Sequence, residues 1–327
     1  MTTVIVVNLS RWIELPGCSN TLSAVVAGSW LGALLSLFRF DKLKLLVRIV
    51  ASVCVVILSL LASDVHFRFF LLQGQDLNGR AHFSEAASAL QRARTWSRSA
   101  SASQQAELQH VLGVTFQQLG RFNEALSELR ASTKQNPKNA KAQYHLGNLL
   151  REMKQPNEAE SAYQAAIAAD DDFVAAWNNL GVVQAEQGKI DEAIKTLQRA
   201  IRIDAGFLES HNQLGKIFLS YRKDLGAARR HFLAVLKRNV DHFEGNYYLA
   251  VALDEENDLA GARKHYEQAL RGQPGFVLAI YNLGNVYRRL KETKKALEQF
   301  RKVLNIDPGH PTASAASAAI RELTTSP

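Results

Sequence analysis

The stretch Ala175-Ala-Trp177-Asn-Asn-Leu180-Gly181, with Asp191-Glu-Ala193 and Leu197 after it, carries the pattern from which the architecture of this 327-residue chain follows. Its Leu-Gly pair returns as Leu112-Gly113, Leu146-Gly147, Leu214-Gly215 and Leu283-Gly284, and Leu249-Ala250 fills the gap. Successive leucines lie 34, 34, 34, 35 and 34 residues apart. Twelve residues beyond each small residue stands another, at Ala125, Ala159, Ala193, Ala262 and Ala296, with Ala228 one place late. Four further on come Leu129, Tyr163, Leu197, Phe232, Tyr266 and Phe300. Six registers kept over one period are the mark of a repeat architecture, in which each unit buries its apolar face against the next.

Within each period the apolar residues fall at i, i+3, i+4 and i+7, which predicts two amphipathic helices per unit. In the third unit these are 174–187 and 191–203, and Gly188 separates them as Gly120 does in the first. Small residues mark where two helix axes come close, and Pro137, Pro274 and Pro308 follow three of the second helices. The 35-residue spacing and the displaced Ala228 locate a one-residue insertion around 221–226.

These residues resemble tetratricopeptide repeats. The units are 106–139, 140–173, 174–207, 208–242, 243–276 and 277–310, an all-α helical-hairpin solenoid. The resemblance implies a right-handed superhelix whose first helices line a concave groove, with the second, fifth, ninth, twelfth and thirteenth residue of each unit facing it. Those places carry Tyr144, Asn178, Asn212, Tyr247 and Tyr281, then Asn148, Lys216 and Asn285, then Arg288 and Arg289. Rigid Tyr and adaptable Asn suit an extended peptide or protein segment. Related domains that clamp a terminal carboxylate use Lys, Asn, Asn, Lys and Arg; Asn148 and Asn179 match, but Tyr144, Glu209 and Gln213 occupy the basic places. That clamp is absent. Residues 66–105 read as a degenerate leading unit, with a second helix at 82–93 and a Ser-rich linker at 97–103, and 311–327 as a capping helix and tail.

Residues 1–65 read as a membrane module. No charge interrupts Leu15–Phe38 or Ile49–Ser63, and about 20 apolar residues span a bilayer, so transmembrane helices are expected near 20–39 and 44–63. Between the two uncharged runs lie Arg39, Lys42, Lys44 and Arg48 against Asp41, which places this short basic connection in the cytoplasm and the repeats across the membrane, in a bacterial periplasm. Gly28, Gly32 and Ala24 form a small-residue face for the second helix of the pair or for a homodimer.

Little enzymatic chemistry is legible. No HExxH, GxxxxGK[ST] or GxSxG motif occurs, neither Cys18 nor Cys54 belongs to a CxxC pair, and no cofactor or metal is expected. Asp170-Asp-Asp172 lacks the alternation and glycine of a calcium loop. The net charge of +8 is spread unevenly; the six units swing between −3 and +4, so no continuous basic stripe exists and no nucleic acid is expected. The resulting expectation is a membrane-anchored, non-enzymatic scaffold for assembling an envelope or secretion complex. The alternatives are a holdase for exported chains and an accessory subunit of a membrane enzyme. The layout is also similar, weakly, to cytochrome c maturation factors.

Overall fold

The computed structural model describes residues 41–325, and every regular element among them is helical. The chain divides into two compact units, 1–136 and 137–327. The expected helix near 20–39 and the Gly28/Gly32 face lie outside the described residues.

In the first unit, α1 (Asp41–Gly79) is a single helix of 39 residues. It contains the expected apolar segment 44–63 and continues without a break into the leading hairpin with α2 (Phe83–Thr95). From Ile49 to Gly79 it is long and apolar enough to cross a membrane, by length and composition. It is the one such helix among the described residues, so the expected pair is not seen there. Phe67 and Leu71 turn inward and are buried, while Val53, Val56, Leu58 and Leu61 are exposed.

The leading hairpin obeys the same rule as the others. Gly74 lies under Leu90, and a Cβ there would collide with that side chain. Ala86 and Leu90 follow Gly74 by the same twelve and sixteen residues as in the later units. Only Gln73, standing where leucine is usual, hides the motif. A 3₁₀ turn (Ser97–Ser99) then leads to α3 (Ala102–Gln118), whose start is fixed by a capping box between Ser101 and Gln104. Gln105 donates to the carbonyls of Ser97 and Ala100, which pins this connection. Helix α4 (Phe122–Gln135) completes the unit, and buried Ser132 bonds the Ala106 carbonyl of α3 at 2.7 Å.

The second unit repeats the hairpin five times: α5 (Ala140–Glu152) with α6 (Pro156–Ala169), α7 (Val174–Glu186) with α8 (Ile190–Ile203), α9 (Leu208–Ile217) with α10 (Leu225–Arg238), α11 (Phe243–Glu255) with α12 (Leu259–Gly272), and α13 (Val277–Arg289) with α14 (Thr293–Ile306). Helix α15 (Ala313–Thr325) packs on α14 through Ala316 and Ala319, the role expected of a cap. In each hairpin the small residue of the first helix receives the large residue of the second. Gly147 meets the Tyr163 ring, Gly181 meets Leu197, Gly215 meets Phe232 and Gly284 meets Phe300.

The extra residue of the fourth unit is absorbed as a π-helical turn, Phe218–Arg222, at the end of α9. One additional residue per turn is what a π turn accommodates. The following Lys223 is left-handed and closes the helix.

All these turns need one left-handed residue. Gly120 and Gly188 supply it freely, but Lys154, Lys223, Asn257 and Lys291 occupy the same place with φ of 54 to 66°. A side chain there costs about 1 kcal/mol relative to glycine, partly offset by the greater freedom of glycine when unfolded. Lys154→Gly and Lys291→Gly are each expected to stabilise the second unit by about 0.5 kcal/mol, read as a raised urea midpoint at unchanged m-value.

Candidate protein-binding site

The first helices of the second unit stack side by side, and residues one period apart bond across each junction. Asn148 Oδ1 accepts from the Tyr163 hydroxyl at 2.7 Å and from Asn179 Nδ2 at 2.8 Å. The same Asn179 amide donates to the Tyr144 hydroxyl at 3.2 Å. Asn178 donates to Asn179 and accepts from Ser210 at 3.0 Å, carrying the chain of bonds to α9. Burial pushes the Tyr163 hydroxyl up to about 12, so it stays protonated and donates across the neutral range.

This network holds repeats in register. Asn148→Ala leaves the Tyr163 hydroxyl and the Asn179 amide without their acceptor. An expected loss of about 1.5 kcal/mol in chemical denaturation follows.

The expected groove residues divide into two groups. Asn178, Asn212 and Tyr247 are buried, at 6, 4 and 8% exposure. Asn212 donates to Glu244 at 2.8 Å, and Tyr247 packs edge-on to Phe276 and accepts from Asn282. Burial pushes the Tyr247 hydroxyl up as well. These three join one repeat to the next. Tyr144, Asn148, Lys216, Tyr281 and Asn285 are partly exposed on the same helices. Lys216 extends over the Tyr248 ring at 5.1 Å, with its ammonium available for a cation–π contact.

Arg288 and Arg289 do reach the solvent edge, but each has an acidic partner in an adjacent helix. Arg288 pairs with Glu322 at 3.2 Å, and Arg289 binds Asp254 and also Asn257 at 2.7 Å. Arg151 faces Glu186 in the same way. The twelfth and thirteenth places therefore form a row of ion pairs along one edge of the wall. Burial raises the Asp254 carboxyl, and Arg289 works against that rise.

The sequence reading missed Asn282 and Glu244, both used between repeats. The asparagine directly before Leu-Gly, shared by Asn179 and Asn282, is the signal that could have found the first. Among the described residues no three His, Cys, Asp or Glu side chains converge as a metal set.

Family comparison agrees with this architecture. Two family models described as tetratricopeptide repeat match the chain, one over 110–155, 146–206 and 219–275, the other over 253–320. The chain belongs to the tetratricopeptide-repeat proteins. It is similar to the tetratricopeptide repeat domain-containing protein PYG7, chloroplastic, of Arabidopsis thaliana, at 35% identity over 74 residues, 23% of this chain. It is also similar to the uncharacterized protein ycf37 of Pyropia yezoensis, at 37% over 60 residues, 18% of this chain. These matches span 25% and 34% of the two relatives' lengths. Among solved structures, Pseudomonas aeruginosa pilF matches 66% of this chain and 98% of its own, at TM-score 0.59 and 21% identity. The Cut9–Hcn1 hetero-tetramer structure matches 78% and 55%, at TM-score 0.57 and 16% identity. At such identities they share the fold.

Proposed function

We propose that this chain is a membrane-anchored scaffold that holds an extended segment of a partner protein against the wall of first helices. The carrying observation is the division of labour on that wall. The repeats are locked together by Asn178, Asn212, Tyr247 and the paired arginines, while Tyr144, Lys216, Tyr281 and Asn285 keep exposed surface on the same side. Protein binding is supported by the fold shared with the Cut9–Hcn1 hetero-tetramer structure, which is itself an assembly of protein chains. The apolar length of α1 supplies the tether. The setting we favour is assembly of a membrane-bound complex, in a bacterial envelope with the repeats in the periplasm; the plastid relatives make the thylakoid or plastid envelope the other setting to test.

A photo-reactive residue at Asn285 or Tyr281 is expected to give one discrete cross-linked partner in intact membranes. The same residue at exposed Lys302, on the second helix α14, is expected to give none. With the photo-reactive residue at Tyr281, a Lys216→Ala/Asn285→Ala pair should weaken the cross-link while leaving the helical signal unchanged. Many weak products from every position would favour the holdase reading instead.

A further inference from the structure

The first unit carries a feature that the binding wall does not use. Helix α2 runs back along α1, so the end of the leading hairpin returns to the level where the apolar segment of α1 finishes. There the Trp96 ring stacks on His66 with centroids 4.6 Å apart. His66 is only two residues beyond Asp64, the first acidic residue after the apolar run.

Arginines crowd this base. Between Glu85 and Glu107 the chain has Arg92, Arg94 and Arg98 and no acidic residue. Arg94 pairs with Glu128 at 2.6 Å and Arg68 with Asp64 at 2.9 Å, so the local acids are already taken. Arg92 stays exposed, its guanidinium 5.9 Å from the Phe70 ring, and Arg98 is exposed in the 3₁₀ turn. Beside them, Val65 and Phe69 are 64% and 59% exposed, continuing the apolar surface of Leu61 past the end of the uncharged run.

Each element of this arrangement suits one environment. Aromatic rings with a polar edge settle at the headgroup level. Guanidinium forks bind phosphate oxygens bidentately. Exposed valine and phenylalanine next to a spanning helix gain by entering the interface. A soluble acidic protein would satisfy the arginines but would not explain why they sit where an apolar helix emerges.

We propose that Arg92, Trp96 and Arg98 dock on the headgroups of an anionic bilayer, with Val65 and Phe69 dipping into the interface. This rests on reading α1 as a spanning helix. Because α1 is continuous from its apolar part into the hairpin, docking at the base fixes the tilt of the first unit over the membrane.

The test uses the full chain in vesicles of phosphatidylcholine, with and without about 30% phosphatidylglycerol. A bimane label is placed on Cys54, or, with Cys18 and Cys54 replaced by serine, on Ser97→Cys at the base or Ser84→Cys at the far end of α2. Quenching by neutral acrylamide reports exposure. The expected result is strong protection at 54 in both lipids, full exposure at 84, and protection at 97 only with the anionic lipid. Each arginine near such a surface contributes about fivefold, so Arg92→Gln/Arg98→Gln should abolish the difference at 97, and Arg98→Gln alone should lessen it. Equal exposure at 97 in both lipids, with 54 still protected, overturns the docking and spares the anchor. Exposure at 54 overturns both.

Discussion

Gly181→Val is expected to destabilise the second unit by about 3 kcal/mol, enough to melt the α7/α8 hairpin at physiological temperature if the neighbours cannot compensate. The glycine is dictated by distance. A Cβ on residue 181 would stand 2.6 Å from Leu197 Cγ and 3.3 Å from the Ala193 carbonyl oxygen. The first is a branch point and the second is backbone, so neither moves without separating the two helices. Valine adds two further carbons and a stiff χ1. Ala250 shows how much is tolerated: there a methyl group stands above fully buried Tyr266. Chemical denaturation followed by circular dichroism measures the loss, and Gly181→Ala should fall well short of the valine variant. A Gly181→Val midpoint unchanged from the parent would contradict the close approach.

Acid is expected to weaken the same unit through its histidines. His231 in α10 faces His211 of α9, with their Nδ1 atoms 3.1 Å apart, and Phe218 stacks on the His231 ring. Burial, then the neighbouring charges of His211 and Arg230, pushes His231 down to about 4. Burial likewise lowers His211, against the Ala205 carbonyl and together with Arg238, and it lowers His145 and His265. The folded pKa lies below the unfolded value, so the unfolded chain takes up the proton first. Stability is therefore full above about pH 6.5 and declines as pH falls toward 4. For His231 the decline amounts to about 2 kcal/mol once its partial exposure is allowed for. His231→Phe keeps the ring stacking and removes the titration. Urea midpoints at pH 7.5, 5.5 and 4.5 should fall less steeply in that variant than in the parent; parallel curves would mean that the ring is already solvated.

The fold was open to a reading of residues because its determinants are local and repeated. A small residue, then another at twelve places and a large one at sixteen, defines a hairpin whatever surrounds it, and six copies remove ambiguity. The leading unit was legible only as a degenerate one, with its second helix at 82–93, because one residue of the pattern is polar: Gln73 stands before Gly74, and a longer connection shifts the next unit. The insertion was expected around 221–226, and the structure absorbs it slightly earlier, at Phe218–Arg222; its form, a π turn before left-handed Lys223, depends on hydrogen-bonding geometry that no spacing states.

The binding wall was less legible. Position within the repeat tells which side of a helix a residue occupies, but not which residues bond across a junction. Asn178 and Asn148 looked equivalent as polar side chains on one side, yet Asn178 is 6% exposed and held by Ser210, while Asn148 stays partly open. Arg288 and Arg289 read as open groove contacts because their partners, Glu322 and Asp254, stand 34 and 35 residues away in sequence. Net charge by repeat cannot show pairing between repeats.

The proposed function requires that the apolar surface of α1 meet lipid and tether the repeats to a membrane. Alkaline carbonate extraction of membranes carrying the full chain tests it most directly, alongside a Val53→Asp/Ile57→Asp variant. Each aspartate at the centre of a spanning helix costs about 3 kcal/mol of insertion. The parent chain is expected to stay in the membrane pellet and the double variant to be released with its helical signal intact. Release of the parent chain would contradict it, and would mean that another protein, not a bilayer, covers α1.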